Sequence, residues 1–254
     1  MQNRIYGSSP VRIVVVHGGP GGAGELAPLA RGLADLGHGV LEPMQTELSV
    51  AGQVDELAGV IARNCQEPIV LIGWSWGAWL SALMTAGYPG LVEKLILIGS
   101  GPLDAEYAET IMPTRLSRLT EEEQAELQAL SADLANSDKV RRMIALIDKA
   151  DNFAPDERDQ PDIVFDKAIF DAVWAEAASL RQSGELKEIM STISCPVTAL
   201  HGDHDPHPAE GVAIPLSAIL PEADFVLLHQ CGHKPWREKY ACNVFYETLE
   251  VAIG

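Results

Sequence analysis

The chain has 254 residues, long enough for one α/β domain or one domain with an insertion, and long enough to bury roughly 70–75% of its unfolded surface. It carries 18 Lys plus Arg against 36 Asp plus Glu, a formal net charge of −18 and a sequence pI near 4.6. This balance argues against nucleic acid or an anionic membrane as partner, although charge alone does not separate a solubility device from a preference for a cationic substrate. Cys65, Cys195, Cys231 and Cys242 form no close pair and no zinc-like spacing, so reduced, packed thiols are expected. The first residues show no apolar run with a small-residue cleavage site, and no stretch approaches the roughly 18 apolar residues of a membrane span. The expectation is a soluble, cytoplasmic protein.

Val11–Val16 is a β-branched run without polar alternation, which predicts an interior parallel strand. It ends in His17-Gly18-Gly19-Pro20-Gly21-Gly22, a loop whose backbone can approach a ligand closely. A helical pattern runs through Leu26, Leu29, Leu33 and Leu36 to Gly37; residues 39–43 predict a short strand, and Ser49 to about Asn64 a helix. The apolar run Ile69–Ile72 then breaks across Gly73-Trp74-Ser75-Trp76-Gly77 into a second helical pattern, and Leu95–Ile98 predicts another strand. This rhythm implies a parallel sheet with helices on both faces. From about Leu103 to Met190 the chain is helical and charged, with a capping-box signature at Thr120–Glu123 and a polar break over residues 151–162. Residues 103–190 are therefore expected as an all-helical lid inserted into a core formed by residues 1–102 and 191–254. Strand signals resume at 196–202 and 224–228, followed by a last helix from Trp236 to Val251.

Gly-x-Ser-x-Gly at residues 73–77 is weak as a bare pattern, but its strand-to-helix setting is that of a nucleophile elbow, where glycines relieve crowding around a sharply turned serine. A serine hydroxyl needs an adjacent base, itself oriented by a third group. Two loops after late strands supply candidates: Gly202-Asp203-His204-Asp205 and Cys231-Gly232-His233-Lys234-Pro235. Asp203 competes with Asp205, and His229 with His233. His201, His204, Asp205 and His207 crowd one loop, yet match no ligand spacing; they read as solvated loop histidines, and neither metal nor cofactor is expected.

Taken together, His17-Gly18-Gly19-Pro20-Gly21, Gly73-Trp74-Ser75-Trp76-Gly77, Gly202-Asp203-His204-Asp205 and Gly232-His233 resemble the successive signatures of the α/β-hydrolase superfamily. The first is similar to that of the proline iminopeptidase group. The resemblance covers nearly all of the chain except the lid. It implies an α/β-hydrolase fold, an eight-stranded-type sheet with a helical cap after the sixth strand, whose first antiparallel strands are short or absent here. It also implies Ser75 as nucleophile, Asp205 as the orienting acid, His233 as the base, and the backbone N–H groups of Gly19 and Trp76 as an oxyanion hole. Gly18 and Trp74 are candidates for the substrate pocket. The activity expected is hydrolysis of an ester, amide or peptide-like acyl group, so the expected partner is a small molecule or short peptide. An aminopeptidase is the narrower expectation, with Glu106, Glu109 or Asp171 of the lid receiving a substrate ammonium. The alternatives are a silent hydrolase-fold binding protein, or a C–C hydrolase, thioesterase or acyltransferase using the same residues.

Overall fold

The structure, a computed structural model, describes residues 3–131, 137–156 and 163–254. A short strand β1 (Asn3–Tyr6) opens it, followed by β2 (Val11–Val16), the two-residue β3 (Gly22–Ala23), α1 (Ala27–Asp35) and β4 (Gly39–Pro43). Next come α2 (Val50–Asn64), β5 (Ile69–Trp74), α3 (Trp76–Gly87) and β6 (Val92–Ile98). Helices α4 (Ala105–Ala108), α5 (Ile111–Ser117), α6 (Glu121–Ser131) and α7 (Ser137–Asp151) follow β6. Then β7 (Val164–Phe165), α8 (Lys167–Ser183) and α9 (Glu185–Met190) lead back to β8 (Val197–Gly202), α10 (Glu210–Ile219), β9 (Asp224–Leu228) and α11 (Cys242–Ile253).

Seven strands form the main sheet in the order β1-β4-β2-β5-β6-β8-β9, all neighbours parallel except β1 with β4. This is an α/β-hydrolase fold. Its central strands are apolar over most of their length, β5 entirely so, because helices cover both faces, and the period-two geometry of a strand sends alternate residues to opposite sides. Val14, Leu71, Leu95 and Leu97 join the core beneath α2 and α3, whereas Ile13, Val15, Ile72 and Ile96 join the core beneath α1 and α11. Ser49 caps α2 by accepting from the Gly52 N–H, and Thr120 with Glu123 closes the expected capping box at α6.

The described residues between 103 and 190 pack in two ways. Leu119, Leu127, Leu146 and Ala150 make a small core of their own among α5, α6 and α7. Helices α8 and α9 instead send Ile169, Val173, Ala177, Leu186 and Met190 into the core beneath α2 and α3. The stretch is not all-helical: Val164–Phe165 pairs antiparallel with Gly22–Ala23, a two-residue ladder too short for periodicity to signal. The polar break expected over 151–162 is described only to residue 156. A second departure lies at the C-terminus, where the last helix begins at Cys242; Pro235–Arg237 forms a separate 3-10 turn. No helix among the described residues is long and apolar enough to cross a membrane.

Phe245 of α11 is fully buried, with Trp236 and Tyr246 against its ring. Phe245→Ala is expected to cost about 3–5 kcal/mol in urea unfolding; a loss below about 1 kcal/mol would contradict the packing described.

Candidate active site

Ser75 lies between β5 and α3 at φ 55°, ψ −119°, a conformation that costs a non-glycine residue on the order of 1–3 kcal/mol. Its N–H donates to the Ile98 carbonyl at 3.0 Å, and its carbonyl accepts from the Ala78 N–H at 3.0 Å. The flanking glycines are required by the backbone rather than by the serine itself. A Cβ on Gly73 would run into the Gly77 carbonyl and the Ser81 hydroxyl; one on Gly77 would strike the carbonyls of Val16 and His17 at the end of β2.

The loop after β2 lies beside this turn. Gly18 packs beneath Trp74, where a Cβ would come within 2.5 Å of the indole and 3.0 Å of the Ser75 Cβ. It does not line the cavity above, which corrects the expectation that Gly18 touches substrate. Gly19 does line the cavity, at φ 49°, with no protein atom within 4 Å of a would-be Cβ. His17 is fully buried, and burial lowers its pKa; its Nδ1 lies 2.8 Å from the Gly18 carbonyl and pins the loop. Trp76 also lines the cavity and is the first residue of α3, where a helical N–H has no intrahelical acceptor.

Asp205 follows β8 and His233 follows β9. The Asp205 Oδ2 sits 2.7 Å from the His233 Nδ1, a pair almost wholly shielded from solvent. Donation from Nδ1 leaves the lone pair of His233 on Nε2. Trp74 donates its indole N–H to the His233 carbonyl at 2.8 Å, and their rings lie 4.9 Å apart. His233, Trp74 and Ser75 line one cavity. The competing pair stands elsewhere: Asp203 and His229 are exposed and bonded to each other at 3.1 Å.

The neighbouring histidines are not the solvated loop residues expected. His201 and His207 are buried, and His204 is half-buried with its ring 5.3 Å from that of Phe153. His207 places Nδ1 2.7 Å and its backbone N–H 2.9 Å from Asp205 Oδ1, and stacks on His233 at 4.5 Å. His201 places Nε2 2.8 Å from the His207 carbonyl. Spacing alone gave no sign of this network, because strand twist and the turn at Pro206 determine which side chains fold inward. Burial works to raise the Asp205 pKa, but the imidazoles of His233, His207 and His201 outweigh it and hold the carboxyl well below the usual range. Burial pushes His207 down to about 4 despite the attraction of Asp205. Asp205, His207 and His233 bring donor atoms within 4.8 Å of one another, a grouping able to hold a metal; the hydrogen bonds account for that closeness without one.

The loop bearing His233 is fastened to residues 151–156. Glu238, fully buried, accepts from the N–H groups of Gly232, Phe153 and Ala154, each at 2.7 Å. The His233 N–H donates to the Asp151 carbonyl at 2.9 Å, and Lys239 N–H to Ala154 at 3.0 Å. Sequence reasoning missed Glu238; a glutamate near a helix start carries no local signal of a long-range clamp.

The cavity encloses about 570 Å³. Its walls are mainly apolar and aromatic, with Trp79, Trp174 and Phe170 in successive near-parallel stacks. Glu106, Glu109 and Asp171 are exposed and do not line it, so they do not supply the ammonium site considered above. The carboxylates that do line it are already matched. Lys234 bonds Glu25 at 3.0 Å and Asp148 at 2.8 Å, Arg237 bonds Asp148 at 2.9 Å, and Arg115 grips Asp151 with two 2.7 Å bonds. Burial opposes the charge on Lys234, yet Glu25 and Asp148 hold its pKa above the usual value.

Residues 13–241 match the model of the Alpha/beta hydrolase family. A pimeloyl-[acyl-carrier protein] methyl ester esterase of Nitrosomonas europaea is 24% identical over 193 residues, 72% of this chain and 71% of that protein. The crystal structure of VinJ superposes with a TM-score of 0.71 at 18% identity, covering 99% of this chain and 95% of that one. The enol-lactonase from Burkholderia xenovorans LB400 superposes with a TM-score of 0.63 at 17% identity, covering 99% and 95%. The narrower likeness to proline iminopeptidases finds no support in these comparisons.

Glu238→Gln retains the shape but removes the charge and one acceptor from the clamp, and is expected to cost about 2–4 kcal/mol in urea unfolding. Acidification has a defined sign. His207 is held neutral in the fold to about 4 but protonates near 6.5 when unfolded, so stability present above pH 6.5 is lost as pH falls toward 4. Asp205, depressed in the fold, adds a loss below the unfolded carboxyl value of about 3.9. Between pH 6 and 4.5, His207→Gln should flatten unfolding free energy against pH by up to about 1.4 kcal/mol per pH unit; an unchanged slope would refute the assignment.

Proposed function

The chain belongs to the Alpha/beta hydrolase family, and from that premise we propose that it is a serine hydrolase that cleaves an ester of a largely apolar acyl group. Ser75 attacks the carbonyl carbon while His233 Nε2 takes its proton. Asp205 fixes the imidazole through Nδ1 and stabilises the imidazolium. The N–H groups of Trp76 and Gly19 receive the developing oxyanion, an arrangement in which each donor contributes about 10²–10³-fold in rate. His233 then protonates the leaving alcohol, and water, activated by the same imidazole, releases the acid from Ser75. Residues 103–190 act as the lid.

The observation that carries this reading is His233, held by a 2.7 Å bond to Asp205, in the wall of the cavity that also holds Ser75 on its left-handed turn. Esters are favoured over aminoacyl amides because Glu25, Asp148 and Asp151 are each committed to a cation, leaving these carboxylates matched before an amine arrives. The esterase named among the relatives supports the same direction.

With p-nitrophenyl esters as substrates, Ser75→Ala should lower kcat by about 10⁶-fold and Asp205→Asn by about 10⁴-fold. A fluorophosphonate probe should label Ser75 in the parent chain and not in Ser75→Ala. Full activity in Ser75→Ala, or labelling elsewhere, would sink the assignment. Turnover of proline arylamides with no turnover of esters would overturn the preference for esters.

A further inference from the structure

Arg181 stands apart from every other cation in the cavity wall. Lys234 and Arg115 have carboxylate partners, whereas Arg181 has none among the described residues, in a chain with twice as many acids as bases. Burial alone acts on its ionisation and lowers its pKa. Its Nε is buried without an acceptor, and its guanidinium lies 5.3 Å from the centre of the Trp79 ring. Stacking on an indole favours the guanidinium, while a buried donor left unsatisfied opposes it by a similar amount. The two roughly cancel, so the fold gains little by placing a guanidinium there.

The position fits a ligand. Phe170, Trp174 and Arg181 fall at i, i+4 and i+11 along α8, on one helical face, and all three line the cavity. Trp79 is four residues beyond Ser75, about 6 Å along α3. The guanidinium therefore caps an aromatic wall that begins at the nucleophile turn. We infer that Arg181 binds a carboxylate at the end of the substrate remote from the reacting carbonyl, so the substrate is an ester with an apolar chain and a terminal acid. A phosphate monoester would bring about −1.5 to −2 charge, more than one guanidinium neutralises, and Arg115 and Lys234 are already paired. A carboxylate matches one planar guanidinium and satisfies its donors. This inference rests on the proposed role of Ser75 for the ester and for the direction in which the chain runs; the anion site itself stands on Arg181.

The test compares esters in matched pairs, one with a free terminal carboxylate and one with that carboxylate methylated. In one arm the carboxylate ends the acyl chain of p-nitrophenyl esters of increasing length; in the other it ends the alcohol. The parent chain should favour the free acid in kcat/KM by on the order of 10–100-fold in one arm. That ratio should fall to near one in Arg181→Met and be partly retained in Arg181→Lys, both checked for an unchanged Tm. In parallel, calorimetry on Ser75→Ala and on Ser75→Ala with Arg181→Met measures binding of the same pairs without turnover. No preference for the free acid in either arm, or a preference unaffected by Arg181→Met, overturns the inference. A binding preference that depends on Arg181, with no ester turnover by the parent chain, keeps the anion site and overturns the hydrolase reading instead.

Discussion

Ser75 is held in the left-handed region by contacts that leave it no alternative. Its N–H is tied to the end of β6, its carbonyl to the first turn of α3, and Gly73 and Gly77 give the room for that turn against α3 and β2. The helix can leave the strand so sharply only because two parallel strands flank β5 and deliver Ile98 and His17 to the same edge. The strain at one residue is thus distributed over three strands and a helix, and the hydroxyl is presented at the carboxyl edge of the sheet. Everything else in the site is referred to that point. Gly18 passes beneath Trp74, Trp74 supports the His233 carbonyl, and His233 reaches Asp205.

The interior charges follow a single logic. In a chain of net charge −18, each carboxylate lining the cavity is matched by a buried or half-buried cation, because an unpaired buried charge is costly. Glu238 and Asp205 differ in how they are satisfied. Glu238 is held by three backbone N–H groups, whereas Asp205 gathers imidazoles. Asp205 stays ionised through the imidazoles packed around it, while burial pushes His207 down to about 4.

Much of this fold was legible in the sequence, since β-branched runs, helical spacing and glycine breaks report on neighbours within a few residues. The loops that carry Ser75, Asp205 and His233 were readable because each has its own local pattern, and the structure brings Asp205 against His233 and sets Ser75 in the same cavity as His233. What escaped was set by long-range packing. The inward turn of His207 depends on how the loop after β8 folds against the loop after β9, and it brings the His207 carbonyl to His201 on β8 itself. The ion pairs of Lys234 join residues 209 and 86 apart in the chain. The division of 103–190 into two packing units arises because α8 and α9 meet α2 and α3, which no periodicity within the insertion encodes.

The clamp between residues 151–156 and 232–239 makes the loop bearing His233 and the end of α7 a single mechanical piece. Lifting α7 to widen the mouth of the cavity would pull on the Asp151 carbonyl that holds the His233 amide, and on the two amides that grip Glu238. The loop that carries His233 is therefore tied to the end of α7, so its position is set from outside the sheet as much as by the strand it follows.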